Sequence, residues 1–108
     1  MPRYATLGLM TGLLLALPQA SAQGVGSPKT GLAYARQNCA ECHAVEKGGW
    51  ESPNPDAPSF QSIAQTQGFS WIALSAFLQT PHKTMPNFLL QPQDREDVIA
   101  LILSLKPE

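Results

Sequence analysis

The chain has few charged residues and only two cysteines, and each of these shortages excludes some classes of protein. Its 108 residues are enough for one small domain rather than two. Charged side chains make up 14% of the sequence and the formal net charge is −1, so electrostatics give no reason to expect nucleic-acid binding. Two cysteines exclude a multi-disulfide scaffold. Because no alternating strand pattern of useful length and no internal repeat occurs, we expect an all-α fold.

Residues 1–22 have the pattern of a secretory signal peptide that is cleaved. Arg3 supplies the positive start, residues 4–17 are apolar and uncharged, and Ala20-Ser21-Ala22 forms a small-residue cleavage site. The apolar run is shorter than the roughly 20 residues that a helix needs to cross a bilayer, so cleavage is favoured over a membrane anchor. We therefore expect a periplasmic protein without stable membrane insertion. Its flexible N-terminus would cover 23–30 and its single domain 31–108.

Capping residues and apolar periodicity predict the helices. Thr30 is a candidate cap for a helix over about 31–40, and a short helix follows over 60–66. Ser70 is expected to cap a third helix, and Pro92 fits the first position of the last one. The loop over 46–58 is rich in glycine and proline, and a loop of this length in a small domain suggests that it lines a cofactor.

Residues 39–43 read Cys-Ala-Glu-Cys-His, the C-x-x-C-H pattern of covalent c-type haem attachment. Thiols at this spacing lie on neighbouring parts of one helical turn and can form thioether bonds with the two vinyl groups of one porphyrin. The histidine that follows then faces the iron, for which neutral imidazole is a good ligand. The motif predicts one covalent haem c held by Cys39 and Cys42, with His43 as an iron ligand.

Three other interpretations of the cysteine pair remain open from the sequence. A redox-active C-x-x-C usually opens a helix beside a βαβ pattern, whereas here the predicted helix precedes the pair. Half of a zinc site would need a further ligand such as His82 or a carboxylate, and no second C-x-x-C occurs. A structural disulfide is permitted in the periplasm, but across so short a loop it would stabilise little.

Met85 is the favoured ligand for the opposite side of the iron. It is the one methionine outside the predicted leader, and it lies in a loop between Thr84 and Pro86 rather than on an apolar helical face. Thioether ligation favours ferrous iron and raises the reduction potential, which suits an electron carrier. His82 is the second candidate and would give a lower potential; water or an open position are the remaining options.

Together these motifs resemble the class I cytochromes c, over nearly all of 31–105. Besides 39–43, the resemblance rests on 81–88 (Pro-His-Lys-Thr-Met-Pro-Asn-Phe), which is similar to the methionine loop of small bacterial members, and on the apolar helix over 97–105. It implies a small cytochrome c fold of three to five helices wrapped around one covalently bound haem. It also implies that Gly31 lies where the first helix crosses the last, and that the Pro58 carbonyl accepts a hydrogen bond from the His43 imidazole.

The sequence departs from the family pattern at three positions. Ala35 and Leu101 stand where aromatic residues often meet across the helix crossing, so an aliphatic contact is expected there. Gln91 replaces the Ser or Thr often found before the proline that opens the last helix, so this cap should be weak.

An iron with histidine and methionine ligands has no open position for substrate, and no other catalytic constellation is visible. We therefore expect a monomeric electron carrier rather than an enzyme, with an oxidase, reductase or dehydrogenase as redox partner. Lys47 and Lys83 would form at most a small basic patch, so docking should be mainly apolar and depend little on salt. Alternatives are a haem subunit stably bound to a periplasmic oxidoreductase, a haem sensor or peroxidase, and, more weakly, a thiol-disulfide protein.

The remaining polar and aromatic residues suggest more local roles. Trp50, Trp71 and Gln61 are possible donors to the haem propionates. The tryptophans and Phe88 are expected to pack in the haem pocket, although their exposure on one surface would favour the stable complex. Glu96 and Asp97, near the start of the last helix, look like solvated charges.

Overall fold

Four helices connect in sequence around a shared apolar core. The computed structural model describes residues 2–3, 8, 12–17, 25–82, 84–85 and 90–107. Within them lie α1 (Pro28–Asn38), α2 (Phe60–Gln65), α3 (Trp71–Leu78) and α4 (Pro92–Ser104). No strand occurs in these ranges. The predicted all-α architecture is confirmed.

The contact between α1 and α4 is the most extensive one between helices, and a glycine permits it. A Cβ atom on Gly31 would overlap the backbone carbonyl of Asp97. Gly31 therefore allows the two backbones to approach more closely than any larger residue would. Ala35 is fully buried and Leu101 is nearly so, and both belong to the same core cluster. The crossing is aliphatic, as the sequence predicted.

α1 begins at Pro28, ahead of the predicted start, and its cap is Ser27 rather than Thr30. The Ser27 hydroxyl accepts a hydrogen bond from the Thr30 amide at 3.2 Å. The prediction of a flexible segment over 23–30 is therefore wrong for residues 27–30. Pro28 fits the start of this helix, because a proline is well tolerated in the first turn, where its missing N–H would have no partner.

Asp97 is buried, with 3% of its surface exposed, so the prediction of a solvated charge is wrong for this residue. Its Oδ1 accepts hydrogen bonds from the Ser27 amide at 2.8 Å and from Gln93 Nε2 at 3.1 Å. Glu96 is half-buried. The Asp97 carboxylate thus joins α4 to the start of α1, next to the close approach at Gly31.

Local capping signals account for the other helices. The Ser70 hydroxyl accepts from the Ala73 amide at 3.2 Å, as predicted, and Ser59 caps α2 in the same way. α4 begins at Pro92, and Gln91 makes no side-chain cap bond, which agrees with the weak cap expected. These helices surround a core formed by the following buried residues: Ala35, Val45, Phe60, Ala64, Leu74, Val98, Ile99, Leu101, Ile102 and Leu105.

Most of the predicted signal peptide, including its cleavage site, lies outside the described residues. In the part that is described, Leu13, Leu14, Leu15 and Leu17 are between 79% and 96% exposed. Among the described residues, no helix is both long enough and apolar enough to span a bilayer.

Candidate haem site

A mostly apolar cavity of about 310 Å³ lies between the helices, and its wall joins distant parts of the sequence. The motif at 39–43 contributes Cys39, Cys42 and His43, and the loop after α3 contributes His82 and Met85. Apolar side chains from α2, α3 and α4 complete the wall, namely Phe60, Ile63, Leu74, Leu78 and Ile102. The volume is within the range of small-molecule and cofactor sites. All the side chains predicted to hold haem therefore face one space.

The two cysteines lie on a turn that continues from the end of α1. The amide of Cys39 donates to the Ala35 carbonyl at 2.8 Å, which closes the helix. The amides of Cys42 and His43 both donate to the Cys39 carbonyl, at 3.2 Å and 2.9 Å. Both thiols are free and half-buried. The turn thus presents two sulfur atoms and one imidazole to the cavity within a single loop of backbone.

The His43 ring is oriented by a backbone carbonyl. Its Nδ1 lies 2.6 Å from the Pro58 oxygen, the contact that the family resemblance implied. Because a carbonyl only accepts, Nδ1 carries the proton and the lone pair of the neutral ring is on Nε2. The Phe60 ring packs against the imidazole at a centroid distance of 5.5 Å. A hydrogen bond of this kind fixes the tautomer and makes the remaining nitrogen a stronger ligand.

Backbone hydrogen bonds hold the segment from Cys42 to Phe60 against this turn. The Asn54 amide donates to the Cys42 carbonyl at 3.1 Å, and the Phe60 amide donates to the Ala44 carbonyl at 2.8 Å. The Ala44 amide in turn donates to the Ser52 hydroxyl at 3.0 Å. The glycine- and proline-rich loop is therefore folded back on itself at the cavity, as its length suggested.

The Gln61 side chain bonds to this loop and does not line the cavity, so its predicted role as a propionate donor is wrong. It is 5% exposed. Its Oε1 accepts from the Gly48 amide at 2.9 Å, and its Nε2 donates to the Leu105 carbonyl at 2.8 Å. The side chain links the loop to the end of α4, a contact across a long sequence separation that no local pattern signals.

Neither tryptophan is part of the cavity wall, so their packing in the haem pocket stays a prediction. Trp50 is 57% exposed. Trp71 is half-buried on α3, and its indole Nε1 is buried without a hydrogen-bond partner in the described part of the chain. Phe88 and Lys83 lie outside the described residues, and Lys47 is exposed.

Met85 and His82 both line the cavity, but only His82 makes a hydrogen bond in the described part of the chain. Met85 is half-buried at the wall. His82 Nε2 lies 2.7 Å from the Phe77 carbonyl oxygen, and its ring stacks on the Phe77 ring at a centroid distance of 3.7 Å. Both candidates for the second iron position thus line the same cavity, and His82 already has a hydrogen-bond partner.

The thiol alternative finds little support in this environment. Burial raises the pKa of Cys39 from 9.0 to about 11, whereas redox-active cysteines have lowered pKa values because the thiolate is the reactive form. Among the described residues, no cluster of three or more His, Cys, Asp and Glu side chains is arranged to hold a metal ion.

An exposed ion pair joins α1 to the loop that follows the motif. Arg36 Nε lies 2.6 Å from Glu46 Oε1, and both side chains are more than half exposed. The hydrogen bond lowers the pKa of Glu46 and raises the pKa of Arg36. Neither residue faces the cavity, so the pair acts on the position of the loop.

Comparison with known proteins decides the family. The family model described as cytochrome c matches residues 29–106, most of the chain. The chain belongs to the cytochrome c family. Cytochrome c-552 of Bradyrhizobium diazoefficiens is 36% identical over 96 residues, which cover 88% of this chain and 91% of that protein. No solved structure matches at a significant level.

Membership in the cytochrome c family confirms the predicted fold and cofactor. Members bind one covalent haem c and carry electrons between redox partners, and the present chain has the required pair of cysteines. Its helical architecture agrees with the family's all-α fold. The cavity fits the cofactor chemically, because two thiols, a histidine with a free Nε2 lone pair and a thioether line one apolar space.

Proposed function

We propose that this cytochrome c is a periplasmic single-haem protein that carries one electron at a time between respiratory or dehydrogenase partners. The observation that carries the proposal is that Cys39, Cys42, His43 and Met85 all line one cavity. When bound there, haem supplies a reversible one-electron change at iron. The remaining work, which is to hold, orient and shield that group, falls to the side chains of this chain.

Each residue of the site has a distinct role in the proposal. Cys39 and Cys42 hold the porphyrin through thioether bonds, while His43 Nε2 and the Met85 sulfur ligate the iron. The Pro58 carbonyl keeps the proton on His43 Nδ1, so that the other nitrogen stays available. If His43 and Met85 both ligated the iron, no position on it would be open for a substrate, and we propose no catalytic activity.

The periplasmic location is supported by the leader pattern over 1–22, with its positive start and small-residue cleavage site. We expect the mature protein to begin at Gln23. Amino-terminal sequencing of protein purified from its native cells tests this, and a chain that retains the apolar run would contradict the cleavage.

The visible spectrum of protein matured in a c-haem assembly system tests the cofactor and its ligands together. Sharp ferrous bands that survive acid-acetone extraction are expected for covalent haem, and a weak ferric sulfur-to-iron band is expected for Met85 ligation. A folded, haem-free product with reducible Cys39 and Cys42 would instead favour the thiol-disulfide function. Rapid binding of carbon monoxide by the ferrous protein would favour a sensor or peroxidase.

A stable haem subunit of a periplasmic oxidoreductase is the second candidate function. Two exposed apolar side chains outside the cavity wall favour it: Trp50 is 57% and Ile72 75% exposed. Tryptophan in particular is enriched at the energetic centres of protein interfaces. Size-exclusion chromatography of native periplasm distinguishes the two functions, since a diffusing carrier elutes as a monomer and a subunit elutes with its complex.

A further inference from the structure

His82 occupies a position that joins three segments around the cavity. Its ring stacks on Phe77 at 3.7 Å with an interplanar angle of 23°, and Phe77 meets Phe69 edge to face at 6.1 Å. Phe69, Phe77 and His82 all line the cavity. The row of rings therefore runs from the loop before α3, across the end of α3, to the loop that contains Met85.

The hydrogen bond of His82 adds a directional link to this stacking. Phe77 belongs to the last turn of α3, where carbonyl groups have no partner within the helix. Its oxygen accepts from the Thr80 amide at 3.2 Å and from His82 Nε2 at 2.7 Å, so both of its lone pairs are used. The imidazole closes the end of the helix and at the same time fixes the loop that leads to Met85.

From this arrangement we propose that His82 is a positioning residue for Met85, which it serves by fastening the methionine loop to the end of α3. The inference rests on the proposed histidine and methionine ligation. It gives His82 a role that differs from iron ligation: with Nε2 donating to the Phe77 carbonyl, only Nδ1 would be left to bind a metal. Held in this way, the loop keeps the Met85 sulfur at the cavity against competition from other ligands.

Substitutions at His82 separate the hydrogen bond from the stacking. His82→Phe keeps an aromatic ring over Phe77 and removes the donor, His82→Gln keeps a donor at a similar reach and removes the ring, and His82→Ala removes both. Thr80→Ala is the matched control. The Thr80 hydroxyl donates to the Ala76 carbonyl at 2.7 Å, so this variant also removes a bond at the end of α3, but Thr80 is not part of the cavity wall.

The measurement is the concentration of added imidazole that displaces half of the ferric sulfur-to-iron band in the holoprotein, together with the reduction potential. Loss of one net hydrogen bond predicts that His82→Phe needs about 2- to 10-fold less imidazole, and His82→Ala less still. The reduction potential should fall wherever Met85 ligation is lost, since the thioether favours ferrous iron. His82→Gln should recover part of the effect, and Thr80→Ala should leave both quantities unchanged.

Two results would overturn the positioning role. One is a half-displacement concentration that is the same in wild type and in all His82 variants. The other is an equal change in Thr80→Ala, which would mean that only the stability of α3 matters. Failure of the proposed function looks different, because wild type itself would then lack covalent haem or the sulfur-to-iron band. A wild-type spectrum of two-histidine ligation that disappears in His82→Ala would make His82 the ligand and overturn both.

Discussion

The two walls of the haem cavity are built in different ways. On the His43 wall, the histidine follows directly after two cysteines in one turn, and the loop behind it is fixed by backbone bonds such as those of Asn54 and Phe60. On the Met85 wall, the described residues offer one side-chain link to the helices, the contact of His82 with Phe77. Among the described residues, the first wall has several hydrogen bonds that hold its loop, and the second has the one contact of His82.

This difference separates two properties that a haem protein must combine. Attachment of the cofactor depends on the His43 wall, where losing one bond leaves the others in place. In the proposed ligation the second iron ligand comes from the other wall, where a small change in loop position would move a single sulfur atom. Substitutions on the Met85 wall should therefore change ligation without loss of haem, and those on the His43 wall should change stability without a change of ligand.

The largest effect is expected for Met85→Ala. The ferric sulfur-to-iron band should disappear completely, because no other methionine lies outside the predicted leader. The amount of covalent haem per chain should stay at the wild-type level, since Cys39 and Cys42 are untouched. Spectra and haem content of the same preparation measure both. If the variant keeps the band, Met85 is not the iron ligand. If the variant loses covalent haem, the two walls are not independent.

Gln61→Leu should give the next largest effect, this time on stability. It leaves the Leu105 carbonyl, on a buried residue, without its partner and frees the loop at Gly48. The free energy of unfolding of the holoprotein in urea should fall by about 1–3 kcal/mol, while the sulfur-to-iron band stays unchanged without denaturant. Gln65→Leu, at an exposed position of the same helix, is the control and should change stability by less than about 0.5 kcal/mol. Equal effects of the two substitutions would deny Gln61 its bridging role.

Ser52→Ala removes a single hydrogen bond from the same wall. The Ala44 amide, which follows His43 directly, then loses its acceptor, and a decrease of about 0.5–1.5 kcal/mol in the free energy of unfolding is expected. Ser52→Thr keeps the hydroxyl and should stay close to wild type. If the alanine variant instead lost its sulfur-to-iron band, the His43 wall would also control ligation by Met85. The two walls would then not act independently.

Local signals explain what could be predicted from the sequence. The Ser70 cap and the Pro92 start each depend on residues within one turn, and so does the spacing of the cysteines and His43. The motif therefore predicts the haem-holding residues, and Cys39, Cys42 and His43 line one cavity. The start of α1 was predicted wrongly because a proline serves both loops and first helical turns, and only the packing of Ser27 against α4 decides between them.

Buried polar residues were the part that sequence reasoning could not place. The partners of Gln61 and Asp97 lie far away in the chain, at Leu105 and Ser27, so no spacing rule connects them. Both residues are polar, and polar residues are mostly exposed, so an external role was the natural expectation. Their burial follows from the crossing of α1 and α4 and from the return of the haem loop, which only the assembled fold brings together.

The smallest effect is expected where the His43 wall meets solvent, at the exposed pair of Arg36 and Glu46. Because the hydrogen bond from Arg36 lowers the pKa of Glu46 below its usual 4.5, the folded state favours the charged carboxylate. The stabilising contribution of the ion pair is present at pH values above 4.5 and is lost as the pH falls through the lowered pKa of Glu46. Glu46→Gln should therefore differ slightly from wild type in free energy of unfolding at neutral pH, and the difference should vanish in acid and shrink with salt. A difference that persists unchanged at low pH would show that packing, rather than charge, joins α1 to the haem loop.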